Sequence, residues 1–160
     1  MMGAGKSSTG KAISALTGLK FIDLDAEIES QTHLTINEIF QKKGESFFRS
    51  EERRILNAVV NQTHSVVATG GGIVLNPQNV EKMQASGKIV YLAASLETLW
   101  ERVQHKKDRP LLSVPNPQAV FSRLYQERSS LYESSCYGKI DTDGLSPEAT
   151  AKKVVDQYLK

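Results

Sequence analysis

The first seven residues, Met1-Met2-Gly3-Ala4-Gly5-Lys6-Ser7, set two glycines, a lysine and a hydroxyl directly ahead of a helix-forming run from Lys6 to Leu16. They match the last seven positions of the G-x-x-x-x-G-K-[ST] phosphate loop, which lacks here only its first glycine. Each residue type has a chemical reason. Gly3 and Gly5 let backbone N–H groups converge on phosphate oxygens, with Ala4 and Ser8 contributing amides beside them. The helix N-terminus adds partial positive charge, Lys6 reaches the outer phosphates, and Ser7 can ligate Mg²⁺. The bland alternative is a glycine-rich turn that closes a helix start without a ligand. In folds built on this loop a hydrophobic strand leads into it from the sheet interior, and nothing here precedes it but two methionines. The expectation is therefore that the natural product starts about ten residues earlier, with an apolar strand and a glycine. On that reading Met1 is an internal methionine, and the 160-residue chain folds poorly because two interior strand edges lack a partner.

The rest of the chain alternates strand and helix. Short strands are predicted at Leu19 to Asp23, Ser65 to Ala68, Lys88 to Leu92 and Gly138 to Thr142. Helices are predicted over Ala26 to Gln31, Thr35 to Lys43, Glu45 to Asn61, from Asn76-Pro77, from Leu96 to Gln104 behind a Ser95 cap, from Gln118 to Ser135, and from Ser146-Pro147 to Leu159. Phe48, Ile55, Leu56 and Val59 form the apolar stripe of a helix packed on a sheet. This regular alternation predicts one α/β domain over residues 1–160, a parallel sheet with helices on both faces, its first strand missing. Residues 105–117, basic and then proline-rich, have loop composition and are read as a flap, and residues 25–61 form a helical region beside it.

Composition excludes several classes. Twenty Lys+Arg against eighteen Asp+Glu leave a net charge of +2, too small to imply a polyanionic partner, so no nucleic-acid role is expected. Cys136 is the single cysteine, which removes intramolecular disulfides and cysteine-built metal centres. His33, His64 and His105 have no ligand spacing, so no transition-metal site is expected. No apolar run reaches the roughly 18 residues of a membrane helix, and a cytoplasmic protein without a membrane partner is the expectation.

Beyond the phosphate loop, the informative residues are Asp23 and Asp25 at a strand end, Arg49 and Glu52 on a helix, Gly70 to Gly72, Arg109 in the flap, and Arg128. Together they point to a small anionic acceptor. With Asp23-Leu24-Asp25, Phe48-Arg49-Ser50-Glu51-Glu52, Thr69-Gly70-Gly71-Gly72, Arg109-Pro110-Leu111-Leu112 and Glu127-Arg128 ahead of Leu131-Tyr132, the chain resembles the shikimate kinases over nearly its whole length. The resemblance implies the three-layer P-loop fold of the nucleoside-monophosphate-kinase type, with residues 105–117 as the lid and residues 25–61 as the substrate-binding region. It implies transfer of the ATP γ-phosphate to the 3-hydroxyl of shikimate, in aromatic amino-acid biosynthesis, by a monomer whose partners are ATP, Mg²⁺ and shikimate.

By matching position, the resemblance assigns Asp25 to the shikimate hydroxyls and Asp23 to Mg²⁺ through water; on the residues alone, Asp25 could equally be a helix cap and Asp23 a turn residue. Arg49 and Arg128 match the two guanidinium groups on the shikimate carboxylate, a planar fork suited to bidentate contact, against the alternatives of a surface i,i+3 pair with Glu52 and a solvated charge. Gly70, Gly71 and Gly72 match the substrate-side loop, with Gly71 at the ligand. Arg109 matches the lid arginine that reaches the transferring phosphate. Arg102 and Pro147 are assigned to the adenine, near Leu145, where contact would come from backbone. Lys6, Asp25 and Arg109 form the implied catalytic set. A kinase for gluconate or a nucleoside monophosphate, and a non-catalytic binding domain of the same kind, stay open as alternatives.

Overall fold

The computed structural model describes residues 1–105 and 110–159. Among the described residues there are four short strands: β1 (Lys20–Asp23), β2 (Ser65–Ala68), β3 (Val90–Ala93) and β4 (Gly138–Asp141). Both pairings are parallel. β1 joins β2 with Lys20 opposite Ser65, and β3 joins β4 with Val90 opposite Gly138. The expected parallel architecture is there, but as two separate two-stranded sheets. Helices surround them: α1 (Lys6–Thr17), α2 (Leu24–Thr32), α3 (Ile36–Lys42), α4 (Glu45–Val59), α5 (Pro77–Ser86), α6 (Leu96–Val103), α7 (Pro117–Ser135) and α8 (Pro147–Val154).

Local chemistry fixes most boundaries. Gly18, at φ 74°, ends α1 in the left-handed conformation and donates its N–H to the Ser14 carbonyl. Thr35 and Glu38 form a reciprocal capping box at α3. Ser95, Asn76 and Ser146 accept from backbone N–H groups at the starts of α6, α5 and α8, and proline occupies the first turn of α5 and α8. Several predicted limits move by one or two residues: β1 begins at Lys20 rather than Leu19, α2 at Leu24 rather than Ala26 because Asp23 is its cap, and α4 ends at Val59 rather than Asn61. The Ile89 carbonyl accepts from both Tyr137 and Gly138 N–H, so the β3–β4 ladder begins at Val90 rather than Lys88. The terminal helix changes to a π-type turn at Val155–Leu159, where the Val155 N–H is shared between the Ala151 and Lys152 carbonyls.

α1 bridges the two halves. It packs on β1 and β2 and also on α8, which lies against β4. The fully buried Leu24, Ile28, Ile39, Ile55 and Leu56 join α2, α3 and α4 into one apolar mass, and Leu99, Val103 and Phe121 do the same for α6 and α7. Among the described residues no helix is long and apolar enough to cross a membrane. Four flap residues, 106–109, lie outside the described residues, and the predicted lid arginine Arg109 is one of them.

Candidate active site

The N-terminal loop has the backbone its glycines require. Gly3 and Gly5 sit at φ 82° and 80°, where an L side chain is strained. A Cβ on Gly3 would also stand 2.9 Å from the Leu99 carbonyl oxygen, so α6 packs directly on the loop. Gly5 caps α1 without any side-chain hydrogen bond, leaving the first-turn N–H groups directed at a ligand position. The Lys6 ammonium donates to the Met1 carbonyl at 2.7 Å, curling the loop around itself. A cavity of about 420 Å³ opens over this loop; Met2 to Thr9 line it, with Asp23, Asp25, Gly70, Gly71, Arg102 and Pro147.

β1 delivers the two acids to that cavity, and they divide the work. Asp23 Oδ1 accepts from the Asp25 and Ala26 N–H groups, capping α2, while Oδ2 accepts the Ser7 hydroxyl at 2.5 Å. The cap belongs to Asp23, which leaves Asp25 in the first helical turn facing the cavity. A hydroxyl and a carboxylate side by side beneath a phosphate cradle are hard oxygen donors, the set that suits Mg²⁺. Among the described residues no group of three or more His, Cys, Asp or Glu could hold a metal ion.

The arginines assigned by resemblance to the acceptor lie on α4 and α7. Arg49 Nη1 donates to Glu52 Oε2 at 2.9 Å, and Nη2 to Glu45 Oε1 at 3.0 Å. This is no surface pair, for Glu52 is 1% exposed and lies on the same α4 stripe as Phe48, Ile55, Leu56 and Val59. Burial pushes the Glu52 carboxyl up, with Arg49 opposing that shift and Asp25 adding to it. Burial works against the Arg49 charge, yet Glu52 and Glu45 overcome it and raise its pKa. The glycine loop closes over this pair: a Cβ on Gly70 would stand 2.8 Å from Glu52 Oε1 and 3.1 Å from Asp25 Oδ1, and one on Gly72 would stand 2.6 Å from Arg49 Cζ.

Arg128 is 5% exposed, and its buried Nε has no hydrogen-bond partner among the described residues. A solvated charge is thereby ruled out; an orphaned buried donor needs an acceptor. Its charge acts on Glu52 and on Tyr132, one turn further along α7. Tyr132 donates its hydroxyl to the Gly71 carbonyl at 2.5 Å, stacks on Tyr91 at 5.2 Å, and is pushed up to about 12 by burial. Its role was not assigned from sequence; the available signal was its i+4 spacing from Arg128, which puts both on one helical face.

The predicted residues thus divide cleanly. Gly3, Ala4, Gly5, Lys6, Ser7, Ser8, Asp23, Asp25, Gly70, Gly71, Arg102 and Pro147 line one cavity. Arg49, Gly72 and Arg128 do not line it: Arg49 lies against Gly72 and pairs with Glu52, Tyr132 bonds the Gly71 carbonyl, and Arg128 acts electrostatically on Glu52 and Tyr132. Arg102 donates to the Gly3 carbonyl at 3.3 Å and to the Thr142 carbonyl at 3.0 Å, tying the loop to the end of β4. Leu145 lines the cavity beside Pro147.

Comparison with known proteins agrees with this geometry. The family model described as "Shikimate kinase" matches residues 2–159. The shikimate kinase of Thermodesulfovibrio yellowstonii is 41% identical over 157 residues, which are 98% of this chain and 90% of that protein. That of Ruegeria pomeroyi is 40% identical over 159 residues, 99% of this chain and 80% of its own. Shikimate kinase from Acinetobacter baumannii, solved in complex with shikimate, superposes with a TM-score of 0.94 at 37% identity, covering 97% of this chain and 87% of the other. Matched by that family model over residues 2–159 and about 40% identical to these relatives over nearly its full length, this chain belongs to the shikimate kinase family.

Proposed function

We propose that the protein transfers the γ-phosphate of ATP to the 3-hydroxyl of shikimate, giving shikimate 3-phosphate and ADP. The observation that carries this reading is the buried Arg128 Nε without a partner among the described residues, its charge acting on the Glu52 that pairs with Arg49. Two guanidinium groups at one end of a small site suit a carboxylate, and the phosphate loop at the other end suits a nucleotide tail. Asp25, between them, accepts from the attacking hydroxyl, orients it, and takes its proton as the new O–P bond forms and the bond to the ADP oxygen breaks. Lys6 and the first-turn amides of α1 hold the outer phosphates and meet charge that develops on them. Ser7 would hold Mg²⁺ directly and Asp23 would hold it through water; when bound, that ion would neutralise phosphate charge.

Glu52 keeps Arg49 at the angle the carboxylate needs, and Tyr132 pins the Gly71 carbonyl so that the glycine loop keeps one shape. Arg102 and Pro147 flank the adenine, with Leu145 offering backbone. Arg109, carried on the flap, reaches the transferring phosphate when the flap closes and shuts out water. Because one chain carries both ends of the site, it acts as a monomer, on soluble metabolites of the cytoplasm. A coupled ADP-release assay with shikimate, gluconate and CMP as rival acceptors tests the proposal. Turnover with shikimate alone is expected; turnover only with gluconate or CMP, or with none of the three from folded protein, would reject it.

A further inference from the structure

The surroundings of the Arg49 guanidinium differ from edge to edge. Nη1 donates to the buried Glu52 Oε2 at 2.9 Å. The terminal edge between Nη1 and Nη2 lies against the glycine loop, where a Cβ on Gly72 would stand 2.5 Å from Nη1 and 2.6 Å from Cζ. One face looks onto the Phe48 ring, whose centroid is 5.0 Å from Cζ. The remaining edge, Nε with Nη2, is held by one carboxylate oxygen: Glu45 Oε1 accepts from Nε at 3.2 Å and from Nη2 at 3.0 Å. That edge is a fork on which a planar guanidinium can grip a carboxylate through two parallel bonds.

The two carboxylates on Arg49 differ in their freedom to leave. Glu52 is 1% exposed and belongs to the buried stripe of α4. The Glu45 side chain is 51% exposed and stands in the first turn of α4, directly after Gly44. A carboxylate at a helix N-terminus is favoured there whether or not it also holds an arginine, so Glu45 can release Arg49 toward water without losing its place on the helix. From this we infer that Glu45 is an internal competitor for the carboxylate of the acceptor: it holds the Nε–Nη2 fork of Arg49 until the substrate's carboxylate displaces it. The inference rests on the acceptor reading proposed above, in which Arg49 binds that group. The exchange keeps a partly buried cation partnered throughout, and it limits how tightly an acid is held.

The test is calorimetric titration of the 160-residue protein with shikimate and with shikimate methyl ester, in the absence of nucleotide, for the parent, Glu45→Gln and Glu45→Asp. Glutamine removes the charge, whereas aspartate keeps it on a side chain one carbon too short to hold the fork. Both variants are expected to lower the Kd for shikimate about two- to fivefold, the worth of a half-exposed ion pair. Neither should tighten the ester, which offers Arg49 no charge, and both should melt within about 2 °C of the parent. A higher Kd for shikimate in either variant would make Glu45 a support for Arg49 and overturn the competitor. Tightening by glutamine but not by aspartate would overturn it too, reducing the effect to the field of a nearby charge, as would equal tightening of the ester. Unchanged values in variants of a parent that binds shikimate reject the competitor alone. A folded parent that does not bind shikimate rejects the acceptor reading, and the competitor with it.

Discussion

Gly72 shows how narrowly the acceptor side is drawn. Its backbone, at φ −94°, accepts any residue, but a Cβ there would stand 2.6 Å from Arg49 Cζ. Gly72→Ala should therefore move the guanidinium without straining the chain. We expect the KM for shikimate to rise about tenfold, with a melting midpoint within about 2 °C of the parent, since only the far end of a flexible side chain must yield. An unchanged KM would show that Arg49 does not touch substrate. Arg128→Ala should raise the shikimate KM by roughly ten- to hundredfold, the loss of a charge-assisted contact, and the ATP KM far less. A defect confined to ATP contradicts the clamp. Glu52 predicts a pH dependence. Its carboxyl is raised in the folded state, chiefly by burial. The folded protein thus holds that proton more tightly than the unfolded chain, and this contribution is fully present below the ordinary value of 4.5 and lost as pH rises through the folded value. Urea melts from pH 4 to 7 should show the parent losing stability relative to Glu52→Gln as pH rises; a relative gain would refute the direction. At this scale the left-handed backbone of Gly3 and Gly5 was legible, because two glycines ahead of a lysine and a hydroxyl in fixed register have few structural uses. The burial of Glu52 was not. A single carboxylate on an apolar stripe reads as solvent-facing until its partner's position is known.

Among the elements, α6 carries more of the site than its sequence suggests. Its Leu99 and Val103 back the Gly3 turn, and its Arg102 ties that turn to Thr142. Ser95 opens the helix by accepting the Thr98 N–H at 3.2 Å, and its own N–H goes to Asp143. Ser95→Ala should cost about 1 kcal/mol, read as a melting midpoint lower by roughly 2–4 °C. A loss above about 3 kcal/mol would mean that more than a cap depends on this hydroxyl. Helix starts were readable to within two residues, because Ser95, Asn76, Thr35 and Ser146 are caps with one chemistry. Strand ends were less so. The start of β3 depends on the Ile89 carbonyl being taken by Tyr137 and Gly138, nearly fifty residues away, and no local pattern carries that.

For the molecule as a whole, strand and helix alternation was enough to give a parallel α/β domain. The division into two sheets follows from pairing between segments distant in sequence: β1 with β2 across α2, α3 and α4, and β3 with β4 across α6 and α7. α1 packs on both β1–β2 and α8, and the phosphate loop shares its cavity with Gly70 and Gly71, part of the loop whose Gly70 lies against Glu52 and whose Gly72 lies against Arg49. That juxtaposition is the central claim, and it has one direct measurement. With protein, Mg²⁺, ATP and shikimate in the tube, ³¹P NMR should show the γ-phosphate signal of ATP giving way to one phosphomonoester resonance coupled to the proton on carbon 3 of the ring. Conversion of ATP to inorganic phosphate alone, or a phosphate on another hydroxyl, would contradict the account.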